Sequence, residues 1–188
     1  MSKNKILLIS GPSGCGKSSM LDNLFKDITN YYFSISTTTR DKRDGEKEAV
    51  DYHFVTKDQF EKDIKDGNFL EWAKVHENYY GTSLKPIEHA LSLGKLVVFD
   101  IDVQGFKIVQ EKMGDMITSV FVSTPTIREL ENRLIKRGKD DKQTIQKRVK
   151  MASNELKWIC KYDYHIINED LQTASNKLLQ IYKDMMKL

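Results

Sequence analysis

The sequence predicts an α/β fold with a parallel core sheet, and three observations carry that prediction. Ile6-Leu7-Leu8-Ile9 is an unbroken apolar run, which reads as a strand buried on both faces, as in a parallel sheet. Met20, Leu21, Leu24, Phe25 and Ile28 then recur at helical spacing. Between strand and helix lies Gly11-Pro12-Ser13-Gly14-Cys15-Gly16-Lys17-Ser18, which fits the pattern G-x-x-x-x-G-K-[ST]. In that setting the glycines turn backbone N–H groups inward and the helix N-terminus adds its positive dipole, making a nest for a phosphate chain. Lys17 is placed to reach β- and γ-phosphates, and Ser18 Oγ to ligate Mg²⁺. The plainer reading is a flexible Gly/Ser turn, and the flanking strand and helix count against it.

The chain of 188 residues is long enough for one domain with a sizeable core. Hydrophobic residues at 39% and charged residues at 30% suit a soluble globular protein. A net charge of +3 gives no argument for nucleic acid, though a local basic site for phosphates stays open. Cys15 and Cys160 form neither a disulfide framework nor a zinc pattern, and a bridge at Cys15 would obstruct the loop. A reducing, cytoplasmic setting fits best. The apolar run after Met1-Ser2-Lys3-Asn4-Lys5 is too short for a signal peptide, and no run approaches a membrane span. No repeat, low-complexity tract or Pro-rich linker divides the chain, with proline only at 12, 86 and 125.

Taken in order, Tyr32-Phe33-Ser34-Ile35-Ser36 reads as a strand that Thr37-Thr38-Thr39-Arg40 continues. A charged turn, Asp41 to Glu46, leads to Tyr52-His53-Phe54-Val55, which alternates like a half-exposed strand. Asp58 to Asp66 is a helix stopped by Gly67. Phe69 to Val75 alternates again, and Asn78-Tyr79-Tyr80-Gly81-Thr82 reads as a loop. These polar and aromatic pieces look like an insert on the sheet, with an ordinary solvated surface as the competing view.

Residues 86 to 93 form a helix ended by Gly94. Leu96 to Asp102 is a buried strand ending in two aspartates. Phosphate-loop proteins carry an Asp on a second parallel strand to hold the Mg²⁺ shell. Asp100 and Asp102 are two apart and point the same way on a strand, although Asp102 would also suit a helix N-cap. Val120-Phe121-Val122 is a further core strand. Thr126 with Glu129 matches a capping box. Arg133 and Arg137 share the face of that helix, Gly138-Lys139-Asp140-Asp141 is a hinge-like turn, and Arg148 follows on a second helix. Such arginines are usually a solvated basic face, but near a polyphosphate they are what a phosphoryl-transfer transition state needs. His165-Ile166-Ile167-Asn168 is a last strand, and Thr173 to Met186 a closing amphipathic helix. His53, His76, His89 and His165 show no metal spacing and read as structural.

From first strand to last helix the chain resembles guanylate kinase. The phosphate loop is joined in this resemblance by Ser34 to Arg40, Asp51 to Val55, Phe69 to Ala73, Asn78 to Thr82, and Asp100-Ile101-Asp102-Val103-Gln104-Gly105. The order and spacing of these segments are specific, whereas the loop alone is not. The resemblance implies that Ser36, Glu71 and Thr82 contact a guanine, and that Arg40, Arg43, Tyr52 and Tyr80 hold the GMP phosphate. It places residues 11 to 18 and Asn168 at ATP, with Asn168 near the adenine. Arg133, Arg137 and Arg148 become catalytic lid residues beside Lys17. Asp100 and Asp102 belong to the GMP side, one acting through Mg²⁺-bound water and the other ordering an arginine. Asp100 is the candidate for the water-mediated metal contact, with Ser18 as the direct ligand. Two arginines and two phenols suit a dianionic phosphate, and a carboxylate can accept the paired N1–H and 2-amino donors of guanine. Relatives usually carry Pro where Lys42 stands, Gly where Ala49 stands and Ser where Thr82 stands.

The resulting expectation is a P-loop NTPase fold with a parallel core sheet (residues 1–33, 84–125 and 153–188), a small mixed α/β GMP-binding insert at 34–83 and a helical lid at 126–152. It would transfer the γ-phosphoryl group of Mg·ATP to GMP or dGMP, with Mg²⁺ as cofactor and no nucleic-acid or membrane partner, leaving a homo-oligomer open. A guanylate-kinase-like binding module without catalysis is the competing class, but such modules usually have eroded phosphate loops. A P-loop kinase for another acceptor is a second alternative, against which Glu71 with Ser36 argues.

Overall fold

A computed structural model describes residues 5–75, 77–138 and 140–187, so the expectation for His76 and the interior of the 138–141 turn fall partly outside the described residues. Five strands make a wholly parallel sheet: β1 (Ile6–Ser10), β2 (Tyr31–Phe33), β7 (Leu96–Asp100), β8 (Ile117–Ser123) and β9 (Tyr164–Ile167), in the spatial order β2-β7-β1-β8-β9. The central strand β1 is buried throughout, and its side chains alternate between two cores. Leu7 and Ile9 pack with helices α1 (Lys17–Asp27), α5 (Ile127–Arg137), α6 (Lys142–Glu155) and α7 (Leu171–Met186). Ile6 and Leu8 face α3 (Leu84–Ser92) and α4 (Val103–Met113). Helices therefore cover both faces of the sheet, which is why its strands are apolar without alternation.

The helix ends follow from local chemistry. Thr126, Asp141 and Asp170 cap α5, α6 and α7 through side-chain oxygens that accept backbone N–H groups three residues on. The expected capping box at Thr126 is half formed, because the Glu129 carboxylate turns to Arg133 instead (2.9 Å). The β8 strand starts earlier than its apolar stretch suggests. Thr118 and Ser119 are buried within it, and Asp163 accepts from the Ser119 amide and hydroxyl at 2.8 and 2.7 Å.

Two readings of the insert are corrected. The stretch 32–40 is two strands in two sheets: Tyr31–Phe33 pairs with β7, and after Ser34–Ser36 the chain enters β3 (Thr37–Thr38). Asn78–Thr82 is no loop but most of β6 (Asn78–Ser83), a partner of β5 (Phe69–Val75) and of β3. Its Tyr and Thr residues favour a strand once β5 supplies a ladder. With β4 (His53–Phe54) these form a mixed four-stranded sheet ordered β4-β3-β6-β5. Helix α2 (Lys57–Lys65), capped by Thr56, packs Phe60 against Phe69 and Tyr79.

Ala49 is left-handed (φ +57°), a conformation that side chains other than glycine rarely adopt. Ala49→Gly is expected to stabilise the protein by about 1 kcal/mol, measured by urea unfolding. An unchanged or lowered midpoint would show that the loop carries no strain there.

Among the described residues, no helix is long and apolar enough to cross a membrane.

Candidate active site

The loop between β1 and α1 is held by contacts that only glycine permits. Gly11 (φ +143°) lies so close to β8 that a Cβ would sit 2.0 Å from the Val122 carbonyl oxygen. At Gly16 (φ +102°) a Cβ would meet Asn168 Nδ2 at 2.2 Å. That nitrogen donates to the Cys15 carbonyl (2.8 Å), so Asn168, just past β9, braces the loop from beneath. Asn168 is buried, and its Oδ1 has no partner among the described residues. Cys15 is buried beneath the loop, and burial pushes its thiol pKa up.

Lys17 folds back over the loop, donating to the Gly11 carbonyl (2.5 Å) and lying 3.8 Å from Asp100 Oδ1. Burial raises the Asp100 carboxyl pKa and the Lys17 charge opposes it; the same pair of causes acts on Glu155 at the end of α6. These residues line a cavity of about 730 Å³ together with Ser18, Asp102, Arg133 and Arg137. The two aspartates do not lie on one strand as expected. Asp100 ends β7, whereas Asp102 lies beyond it and caps α4, accepting from the Gly105 amide (2.8 Å). Even so, both face the same space.

A second cavity of about 690 Å³ adjoins the first and shares Tyr52, Asp100, Ile101, Asp102 and Met151 with it. Its far wall carries Ser36, Glu71 and Tyr80. Thr82, buried beside it, donates its hydroxyl to Glu71 Oε1 (2.5 Å). Burial raises the Glu71 carboxyl pKa, and the Thr82 bond acts against that.

Arg40 stacks near the Tyr52 ring (5.4 Å) and is gripped by both oxygens of Glu46, at 2.8 and 3.0 Å. The carboxylate that holds Arg40 is thus Glu46. Arg43 lies at the surface in the same turn, outside both cavity walls, with its amide bonded to Glu46.

The three helix arginines are differently held. Arg133 donates to Glu129 and to the Asn168 carbonyl, both at 2.9 Å. Arg137 and Arg148 both pair with Asp140, at 3.0 and 3.1 Å, and Arg148 also donates to Ser13 Oγ on the loop. Glu46, Asp140 and Glu155 were not singled out from sequence. No periodicity marks them, and each gains meaning only from an arginine or lysine brought near it by the fold.

The cavity offers a divalent ion the Ser18 hydroxyl and the carboxylates of Asp100, Asp102 and Glu155. Among the described residues no three His, Cys, Asp or Glu side chains converge on a metal position. Few hard oxygen donors suit Mg²⁺, which keeps most of its waters and leans on substrate phosphates.

A family model described as guanylate kinase matches residues 3–185. The chain is 54% identical over 180 residues to a guanylate kinase of Wolinella succinogenes, covering 96% of this chain and 84% of that one. It is 46% identical over 181 residues to one of Helicobacter pylori, covering 96% and 87%. Its fold matches the crystal structure of guanylate kinase from Anaplasma phagocytophilum with a TM-score of 0.76 at 31% identity, covering 96% and 85% of the two chains. A phosphate loop facing a second cavity that holds a buried carboxylate, with family similarity along nearly the whole length, leads to one conclusion: the chain belongs to the guanylate kinase family.

Proposed function

We propose that this enzyme transfers the γ-phosphoryl group of Mg·ATP to GMP, and also to dGMP, whose guanine presents the same N1–H and 2-amino donors to Glu71. The observation that carries the reading is the shared wall at Tyr52, Asp100 and Asp102, where a donor cavity meets an acceptor cavity. ATP phosphates fit the loop of residues 11–18, and the GMP base fits against Ser36, Glu71 and Thr82. On closure of the insert, Arg40 and Arg43 join the phenols of Tyr52 and Tyr80 at the acceptor phosphate. Asn168 supports the ATP side by holding the loop carbonyl at Cys15.

No side chain need form a covalent intermediate; alignment and charge stabilisation carry the rate. Lys17, Arg133 and Arg137 line the donor cavity where charge spreads over the moving phosphoryl group, and Arg148 approaches it from the wall of the adjoining cavity. Ser18, with Asp100 acting through water, would hold Mg²⁺, which when bound neutralises charge on the β- and γ-oxygens. The insert at 34–83 and the lid at 126–152 close over the two nucleotides and exclude water.

Lys17→Ala is expected to lower turnover by at least ~10²-fold while the protein stays folded, because it removes charge beside the donor phosphates. The check is an ADP-release assay with GMP, dGMP, AMP and UMP as acceptors on wild type and variant. Near-native turnover in the folded variant would sink the assignment. Preference for an acceptor other than a guanine nucleotide would leave the kinase reading and remove the GMP one.

A further inference from the structure

We propose that Asp140 is a positioning residue, which sets the spacing of Arg137 and Arg148 before nucleotide arrives. The inference rests on the reading of those two arginines given above. Its basis is a bridge in which one carboxylate serves two helices. Oδ2 accepts from Arg137 Nη2 at the end of α5 (3.0 Å), and Oδ1 forms an ion pair with Arg148 Nη2 in α6 (3.1 Å). The carboxylate is more shielded than either partner, with side-chain exposures of 9% for Asp140, 38% for Arg137 and 32% for Arg148. Arg148 reaches on to Ser13 Oγ, so the bridge ends on the phosphate loop itself.

Two guanidiniums brought together repel each other, and both side chains have much rotamer freedom to lose. A carboxylate between them cancels the repulsion and fixes both planes, so that little ordering remains when a polyphosphate enters. The adjacent residue does something else. Asp141 accepts from the Thr144 amide (2.7 Å) and caps α6. Asp140 is thus free of the capping task, although both acids look alike in a turn sequence. Arg133 does not share the bridge, being held by Glu129 and the Asn168 carbonyl.

The test uses the full chain and steady-state kinetics on Asp140→Asn, Asp140→Glu, Arg137→Ala, Arg148→Ala and the double variant Asp140→Asn with Arg137→Ala. Asp140→Asn is expected to lower kcat by ~10- to 100-fold, the usual cost of a small misplacement, with the KM for GMP unchanged within about 2-fold. Asp140→Glu keeps the charge but shifts its position, and is expected to lose less, roughly 3- to 10-fold. In the Arg137→Ala background, Asp140→Asn should cost less than it does in wild type, because only the share that acts through Arg148 remains.

Wild-type kcat in either Asp140 variant overturns the proposal. So does an undiminished loss in the Arg137→Ala background, or a loss explained by a lowered Tm. If Arg137→Ala and Arg148→Ala are themselves fully active, the lid reading fails and takes this inference with it. If they are impaired while Asp140→Asn is not, only the role of Asp140 is lost.

Discussion

Replacing Arg137 with alanine is expected to lower kcat about 10³-fold and leave the affinity for GMP nearly unchanged, the pattern of an arginine that touches only the transition state. Three features motivate this. Arg137 lines the donor cavity with Lys17 and the phosphate loop, it is absent from the wall of the acceptor cavity, and its helix ends beside it at Gly138, which is left-handed (φ +65°). Its present partner, Asp140, is one that incoming phosphate oxygens can share without leaving the guanidinium unpaired. Single-turnover and steady-state measurements at saturating ATP separate the possibilities. A variant that keeps kcat but raises the KM for GMP would move Arg137 to the acceptor side.

The second large effect concerns base selection. Glu71→Gln is expected to raise the KM for GMP strongly and to narrow the preference for GMP over AMP, while the KM for ATP barely moves. Guanine offers N1–H and the 2-amino group side by side, and one carboxylate can accept both. Adenine offers a lone pair at N1 and no 2-amino group, so the carboxylate would be buried facing an acceptor. Leaving a buried charged acceptor unpaired costs about 1–3 kcal/mol or more. Sites that read polar groups in this way discriminate by as much as roughly 10⁴–10⁵. Glu71 is the side chain in position to do so, because it lines the acceptor cavity and its Oε1 is already fixed by Thr82 at 2.5 Å.

The same geometry gives a pH dependence. Burial raises the pKa of Glu71 in the free site, so protons compete with GMP as the pH falls, earlier than they would at an ordinary carboxylate. Titration of the acceptor phosphate is common to GMP and AMP and cancels in the ratio of their kcat/KM values. That ratio should therefore drop on the acid side for wild type and stay flat for Glu71→Gln. An unchanged GMP-over-AMP ratio in the variant would rule out Glu71 as the base reader.

The parts legible in the sequence were those specified by neighbours along the chain. Ile6 to Ile9 could be read as a buried strand because burial on both faces removes alternation. The phosphate loop could be read because its glycines answer to backbone constraints, and Gly11 and Gly16 do meet backbone and side chain at distances no Cβ could share. What stayed hidden depended on partners distant in sequence. Asn78 to Thr82 reads as a loop until β5 and β3 are present to pair with it. Ser119 lies outside the apolar Val120–Val122 run, and its place in the strand depends on Asp163, which accepts from its amide and hydroxyl. The ionic partners Glu46 and Asp140 are unremarkable acids in charged turns, and only the fold turns them toward Arg40 and toward Arg137 with Arg148. The resemblance reached across these gaps for the arginines themselves, but it could not say what holds them.

The insert leaves the core sheet after β2 and returns at α3, and the two crossings meet. Thr37 Oγ1 and Ser83 Oγ lie 3.2 Å apart, one at the first residue of β3 and the other at the last of β6. A piece of chain whose ends are joined in this way takes up hardly more room in the parent fold than a tight turn would. Among the described residues no strand of the core sheet pairs with any strand of the insert, so the ladder of the core sheet is built without the strands spliced between β2 and α3. Over evolutionary time such a plan separates two inheritances. The machinery for handling the donor can be kept while the segment proposed to choose the acceptor is lengthened, shortened or replaced, provided each exchange keeps the pair of hydroxyls at the splice and the packing of Leu70 in the core beside α4.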